Sequence, residues 1–192
     1  MTDFDRQAAR DAAIRAVLPV VAEKGWTLQA VREAAGPEAD LLFPGGAADL
    51  VSAYIEMADR DMVADALPHL AAQRLSQRVR TLIAMRLDRA TPHKAAVRRA
   101  VAVLAWPGNS ALAARCTAGT VDSIWYAAGD SSADFSWYTK RAILASVYTA
   151  TLLYWLNEAN DQAASLAFLD RLLSGVARLG KLRARFAPPK AA

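Results

Sequence analysis

Along most of the chain apolar residues recur three or four positions apart, and strand-like alternation is nearly absent, so the pattern predicts an all-α protein. Ala9, Ala13, Val17 and Val20 or Val21 form a helical stripe over Asp5–Lys24, which Gly25 closes. Thr27 is placed to cap a short helix running to Ala34 or Ala35, and Gly36-Pro37 ends it. A brief segment, Glu38–Phe43, precedes the turn Pro44-Gly45-Gly46. The next helix spans Ala47–Ala66 with Leu50, Tyr54, Ile55 and Met57 inward, and Pro68 marks its expected end. Over Gln73–Leu87, Leu75, Val79, Leu82, Ile83 and Leu87 share one face, leaving Arg74, Arg78, Arg80, Arg86 and Arg89 for a solvated one. Thr91-Pro92 starts a helix that reaches Trp106. After the turn Pro107-Gly108-Asn109, Asn109 or Ser110 caps a helix through Ala128. Its small residues, Ala113, Cys116, Gly119, Thr120 and Ser123, allow close helix approach or a cavity.

The aromatic residues concentrate in Ile124–Leu156, where Trp125, Trp137 and Trp155 alternate with Tyr126, Tyr138, Tyr148 and Tyr154. A polar elbow, Gly129-Asp130-Ser131-Ser132, separates two helices, the second running from Asp134 or Ser136 to Glu158. Apolar residues surround the middle of that helix, which predicts burial on most sides. Trp125, Tyr148, Leu152 and Trp155 are either ordinary core or the lining of a cavity for an apolar ligand. Trp137 and Tyr138 point about 100° apart on the helix, so one buried face cannot hold both. Together with Arg141 they have the composition of a protein-binding hot spot. The last helix, Asp161 to about Arg185, should pack antiparallel on its predecessor, a hairpin suited to a four-helix dimer interface.

Composition narrows the function classes. A chain of 192 residues with 54% hydrophobic content is long enough to bury a core. Cys116 is the one cysteine and permits no internal disulfide. The amino terminus lacks the apolar segment of a secretory signal. The uncharged run Ala142–Leu156 is 15 residues, short of the roughly 20 that span a bilayer, so a soluble cytoplasmic protein is expected. The net charge of +4 is unevenly spread. Residues 1–65 carry 6 basic and 12 acidic groups, residues 66–170 carry 11 and 7, and residues 171–192 carry 6 and none. His69 and His93 have no metal-ligand spacing, and the glutamates Glu23, Glu33, Glu38, Glu56 and Glu158 do not form a di-iron set. No phosphate-binding glycine loop occurs. No catalytic constellation and no cofactor follow from these residues.

Two resemblances extend the picture. GWTLQAVREAAG followed by LLFPGGAADLVSAYI resembles the helix-turn-helix unit of TetR-type regulators over about the first 65 residues. The segment that should read DNA, Gly36–Phe43, has no Lys or Arg, and phosphate neutralisation needs them. The unit is therefore expected to persist as structure without binding nucleic acid. The domains expected are residues 1–65 as this subdomain, 66–186 as a larger helical ligand-binding and dimerisation bundle, and 187–192 as a disordered tail.

The second resemblance covers most of the chain. WYAAGDSSADFSWYTKRAILASVYT, with GWT at Gly25–Thr27, WPGNSALAA at Trp106–Ala114 and FLDRLL at Phe168–Leu173, is similar to the ninth COQ protein family, and the chain is identified as a bacterial short form. That resemblance implies a TetR-like fold, a homodimer, and a non-enzymatic accessory role in ubiquinone biosynthesis. It implies binding of a lipid or isoprenoid quinone intermediate and its presentation to the pathway's di-iron hydroxylase. The implied partner-binding patch maps onto Asp134, Trp137, Tyr138 and Arg141. Eukaryotic members look longer, with a further amphipathic helix implied to enter the membrane. Here Arg178, Leu179, Lys181, Leu182, Arg185 and Phe186 form a basic amphipathic end suited to peripheral contact with an anionic inner membrane. The alternative is a TetR-family ligand-responsive transcriptional regulator whose cavity senses an effector.

Overall fold

In the computed structural model, which describes residues 3–130, 136–157, 159 and 161–186, all regular structure is helical. Helix α1 (Asp3–Lys24) buries Ala13, Ile14, Val17, Leu18 and Val21. Gly25 stops it at φ +73°, donating its N–H to the Val21 carbonyl at 2.9 Å. Trp26 turns inward, its Nε1 donating to the Ala96 carbonyl at 3.0 Å and its ring 5.1 Å from that of Tyr54. Thr27 then caps α2 (Leu28–Ala35) as expected, its hydroxyl accepting from the Ala30 N–H at 3.1 Å. Helix α3 (Ala39–Leu42) is a single turn. Arg10 of α1 pins the chain after it, donating to the Leu42 carbonyl, pairing with Asp49 at 2.6 Å and lying over the Phe43 ring.

Helix α4 (Gly46–Leu70) runs through the middle of the molecule, packed on α1 and on the helices that follow. It continues past Pro68, against the expected end near Ala66. Proline's fixed φ fits a helix and removes one hydrogen bond, while Leu70, buried on the core side, anchors the last turn. Helix α5 (Leu75–Ala90) leads through a 3₁₀ turn, Thr91–His93, into α6 (Lys94–Leu104). Thr91 does not cap α6; its hydroxyl donates back to the Leu87 carbonyl at 3.0 Å. A second 3₁₀ turn, Pro107–Asn109, precedes α7 (Ser110–Ala128). Helices α8 (Ser136–Leu156) and α9 (Gln162–Phe186) form an antiparallel hairpin in which the Tyr154 and Phe168 rings stack at 4.3 Å. Arg80 of α5 ties α9 down through Asp170 at 2.6 Å.

The four arginines of α5 and Arg74 at its start do not share one environment. Arg86 is 7% exposed and inside the molecule, contrary to the solvated face expected for it. It lies three and four residues beyond Ile83 and Leu82 on the buried side, and a carboxylate on α4, Asp59, meets it there. Among the described residues no helix is long and apolar enough to cross a membrane.

Candidate functional site

A cavity of about 70 Å³ lies where α4, α5, α6, α7 and α8 meet. Tyr54 and Ile55 come from α4, Leu87 and Ala90 from α5, Val97, Ala100, Val101 and Leu104 from α6, Cys116, Thr117 and Thr120 from α7, and Tyr148 and Leu152 from α8. The small residues of α7 let α4 and α8 close on either side of it. Val101, Leu104 and Thr117 are half-buried, so the cavity nears the surface between α6 and α7.

Its polar end is built around Arg86, whose Nε stands 3.0 Å from Asp59 Oδ1 without an aligned hydrogen bond. Thr120 donates its hydroxyl to Asp59 Oδ2 at 2.9 Å. Burial pushes the Asp59 carboxyl above its ordinary value, against the pull of Arg86 and Thr120. Burial also raises the Tyr54 and Tyr148 phenols, again opposed by Arg86. Burial alone lowers the Arg86 value, and Tyr148, Asp59 and Tyr54 together more than reverse it, so the guanidinium is charged.

Of the four residues expected to line a cavity, Tyr148 and Leu152 do. Trp155 is 2% exposed and packs outside the lining, with the Lys94 ammonium 5.2 Å from its ring. Trp125 is half-buried near the elbow, 6.0 Å from the Lys140 ammonium, and is not a lining residue either. Asp59 and Arg86 were missed because charged residues on an amphipathic helix are read as outward. The available signal was position, since Arg86 lies within the apolar periodicity of α5.

The elbow is a second feature. Gly129 ends α7 in the left-handed region at φ +82°, where its N–H donates to the Tyr126 carbonyl at 3.0 Å and that of Asp130 to Trp125 at 3.1 Å. Arg78 caps the same end by donating to the Ala128 carbonyl at 3.1 Å. Lys140 of α8 reaches back to the buried Asp130 carboxylate at 3.1 Å. On the adjoining surface Trp137 and Tyr138 meet edge to face, ring centroids 4.7 Å apart, and the Arg141 guanidinium lies 3.7 Å from the Trp137 centroid. Arg141 also pairs with Asp122 of α7. Trp137 and Arg141 border an open groove floored by Ala113, Ala114, Ala118 and Ala145, and Tyr138 is 70% exposed beside it. Asp134 lies outside the described residues. At the far end of α9 Arg178 is exposed; Leu179, Lys181, Leu182, Arg185 and Phe186 continue the helix, their side chains outside those described. Among the described residues no three His, Cys, Asp or Glu side chains converge as metal ligands.

Residues 110–180, which comprise α7, the elbow, α8 and most of α9, match the COQ9 family model. The ubiquinone biosynthesis protein COQ9 of Rattus norvegicus is 26% identical over 181 residues, 87% of this chain and 58% of that protein. The corresponding protein of Schizosaccharomyces pombe is 32% identical over 144 residues, 74% of this chain and 57% of its own. That of Drosophila melanogaster is 32% identical over 165 residues, with coverage of 79% and 49%. The chain thus spans about half the length of these mitochondrial relatives. Among solved structures, a TetR transcriptional regulator from Nitrosomonas europaea superposes with a TM-score of 0.69 at 21% identity, over 88% of this chain and 97% of that one. The fold is therefore TetR-like.

Proposed function

We propose that the chain is a COQ9-family protein, a non-enzymatic accessory factor of ubiquinone biosynthesis. In this reading it binds a lipid or isoprenoid quinone intermediate and presents it to the di-iron hydroxylase of the pathway. The observation that carries the reading is the position of the family match: residues 110–180 hold both the α7–α8 side of the cavity and the Trp137-Tyr138-Arg141 patch. An apolar cavity with few polar groups suits a mostly hydrocarbon ligand. At about 70 Å³ it takes only one end of such a molecule, and the chain of the lipid would leave between α6 and α7. The aromatic and arginine surface beside the cavity suits a protein partner.

Residues 1–65 then serve as a helix-turn-helix subdomain retained for structure, and 66–186 as the binding and dimerisation subdomain. The α8–α9 hairpin supplies the homodimer face, where Leu153 is 53% exposed. Arg178 belongs to a basic helix end that contacts an anionic membrane surface peripherally. Trp137→Lys is expected to leave the circular dichroism spectrum and melting temperature unchanged while abolishing capture of the hydroxylase in a pull-down. Undiminished capture would remove the patch from the reading.

The TetR-like fold favours a second reading, a ligand-responsive transcriptional regulator. Against it, α3 consists of Ala39, Asp40, Leu41 and Leu42, and Arg32 beside it is drawn to Asp40 at 3.6 Å. A helix of one acidic turn offers little to a major groove. Tight, salt-sensitive retardation of duplex DNA in a mobility-shift assay would reverse the order of the two readings.

A further inference from the structure

A depression of about 290 Å³ lies between α1, α4, α5 and the 3₁₀ turn that follows α5, sharing Tyr54, Arg86 and Ala90 with the smaller cavity as a common wall. Leu18 and Met57, both buried, give it an apolar floor. Three guanidiniums nevertheless border it, Arg15 of α1 with Arg86 and Arg89 of α5, and His93 of the turn joins them. Among the described lining residues Asp61 of α4 is the one carboxylate, and it is divided. Arg15 Nη2 stands 3.2 and 3.3 Å from its two oxygens, and Arg89 Nη2 donates to it at 3.0 Å. Arg86 is 7% exposed and meets Asp59, which does not border the depression, while its Nε–H has no aligned acceptor. We propose that this depression binds a compact monocarboxylate with a small apolar body, held by Arg15 and Arg89 at the rim with the Arg86 charge beneath.

Charge sets the ligand class. Arg15, Arg86 and Arg89 are met by Asp59 and Asp61, one negative charge short of neutrality. Asp65 also pairs with Arg89, but its side chain is 47% exposed and water weakens that pair. A bound carboxylate supplies the missing charge, and its two oxygens match the parallel N–H donors of a guanidinium. Arg15 commits only Nη2 to Asp61 among the described residues, which leaves donors for a ligand. A phosphate dianion overshoots neutrality, and residues 1–65, with 6 basic and 12 acidic groups, repel a polyanion such as nucleic acid. Size agrees with this class. A cavity of about 150 Å³ holds one benzene ring, so the depression has room for a ring-sized body on Leu18 and Met57 together with its carboxylate. The inference does not depend on lipid binding in the smaller cavity.

Calorimetric titration of the full chain at pH 7 compares benzoate, its neutral counterpart benzyl alcohol, and inorganic phosphate. Benzoate is expected to bind at one site per protomer, at least about tenfold more tightly than either of the others, the value of one hydrogen bond between charged groups. Arg15→Met and Arg89→Met, at half-exposed positions, should keep the circular dichroism spectrum of the wild type. Each should weaken benzoate about tenfold and leave benzyl alcohol within about twofold. Asp61→Asn removes the carboxylate that competes for both arginines and should tighten benzoate about threefold. A purely structural ion-pair cluster would give no such gain. No heat from benzoate at millimolar concentration, or benzyl alcohol or phosphate binding as tightly as benzoate, overturns the proposal. Unchanged benzoate affinity in both arginine variants, or weaker binding in Asp61→Asn, overturns it as well. None of these results bears on lipid carriage, which is read separately from what the purified protein releases into organic solvent.

Discussion

Asp59 and Arg86 are each tolerable in the interior only because of the other. Asp59→Ala leaves a guanidinium buried without its carboxylate, and urea unfolding is expected to show a loss of about 3–5 kcal/mol. In Asp59→Leu/Arg86→Met both charges are gone, and stability is expected to return to within about 1 kcal/mol of the wild type. A double variant as unstable as the single one would mean that the pair itself holds α4 to α5. Gly129 is a residue of the opposite kind, legible from its type and place. An alanine at its φ of +82° costs about 1–2 kcal/mol, and the added Cβ would stand 3.1 Å from Arg78 Nη1. The midpoint of a denaturant titration of Gly129→Ala reports both effects.

At the scale of elements, what was legible in the sequence is what neighbouring residues decide among themselves. Gly25 and Gly129 end α1 and α7, and Thr27 caps α2, because a left-handed backbone and a side-chain cap are local properties. Pro68 and Arg86 misled for the same physical reason. Whether a helix survives a proline, and whether an arginine turns inward, depend on what packs against that turn. Of the four residues expected to line a cavity, Tyr148 and Leu152 were legible, whereas Trp125 and Trp155 satisfied the same apolar pattern by packing elsewhere. Tertiary tethering also makes α9 sensitive to acid. Its hydrogen bonds from Arg80 hold the Asp170 carboxyl below the ordinary value of 3.8. The stabilisation is therefore fully present above that value and is lost as the pH falls through the lower folded one. Because the pair is nearly half exposed, Asp170→Asn is expected to cost less than about 1 kcal/mol at pH 7. The gap from the wild type should narrow toward pH 3 in urea titrations; a gap that widens would contradict the assignment.

For the whole molecule, the proposed function draws on one half. The helices matched by the COQ9 family model form the α7–α8 side of the cavity, the elbow and the aromatic surface, while α1, with α2 and the acidic single-turn α3, packs on α4 and α6. A cavity near an exposed aromatic and arginine surface would suit the proposed carriage of a ligand to another protein. Native mass spectrometry of the purified protein, with organic extraction of whatever it releases, tests lipid carriage most directly. A neutral lipid or isoprenoid adduct at one per protomer is expected; a spectrum showing only the bare chain, with no lipid in the extract above the buffer control, would contradict it.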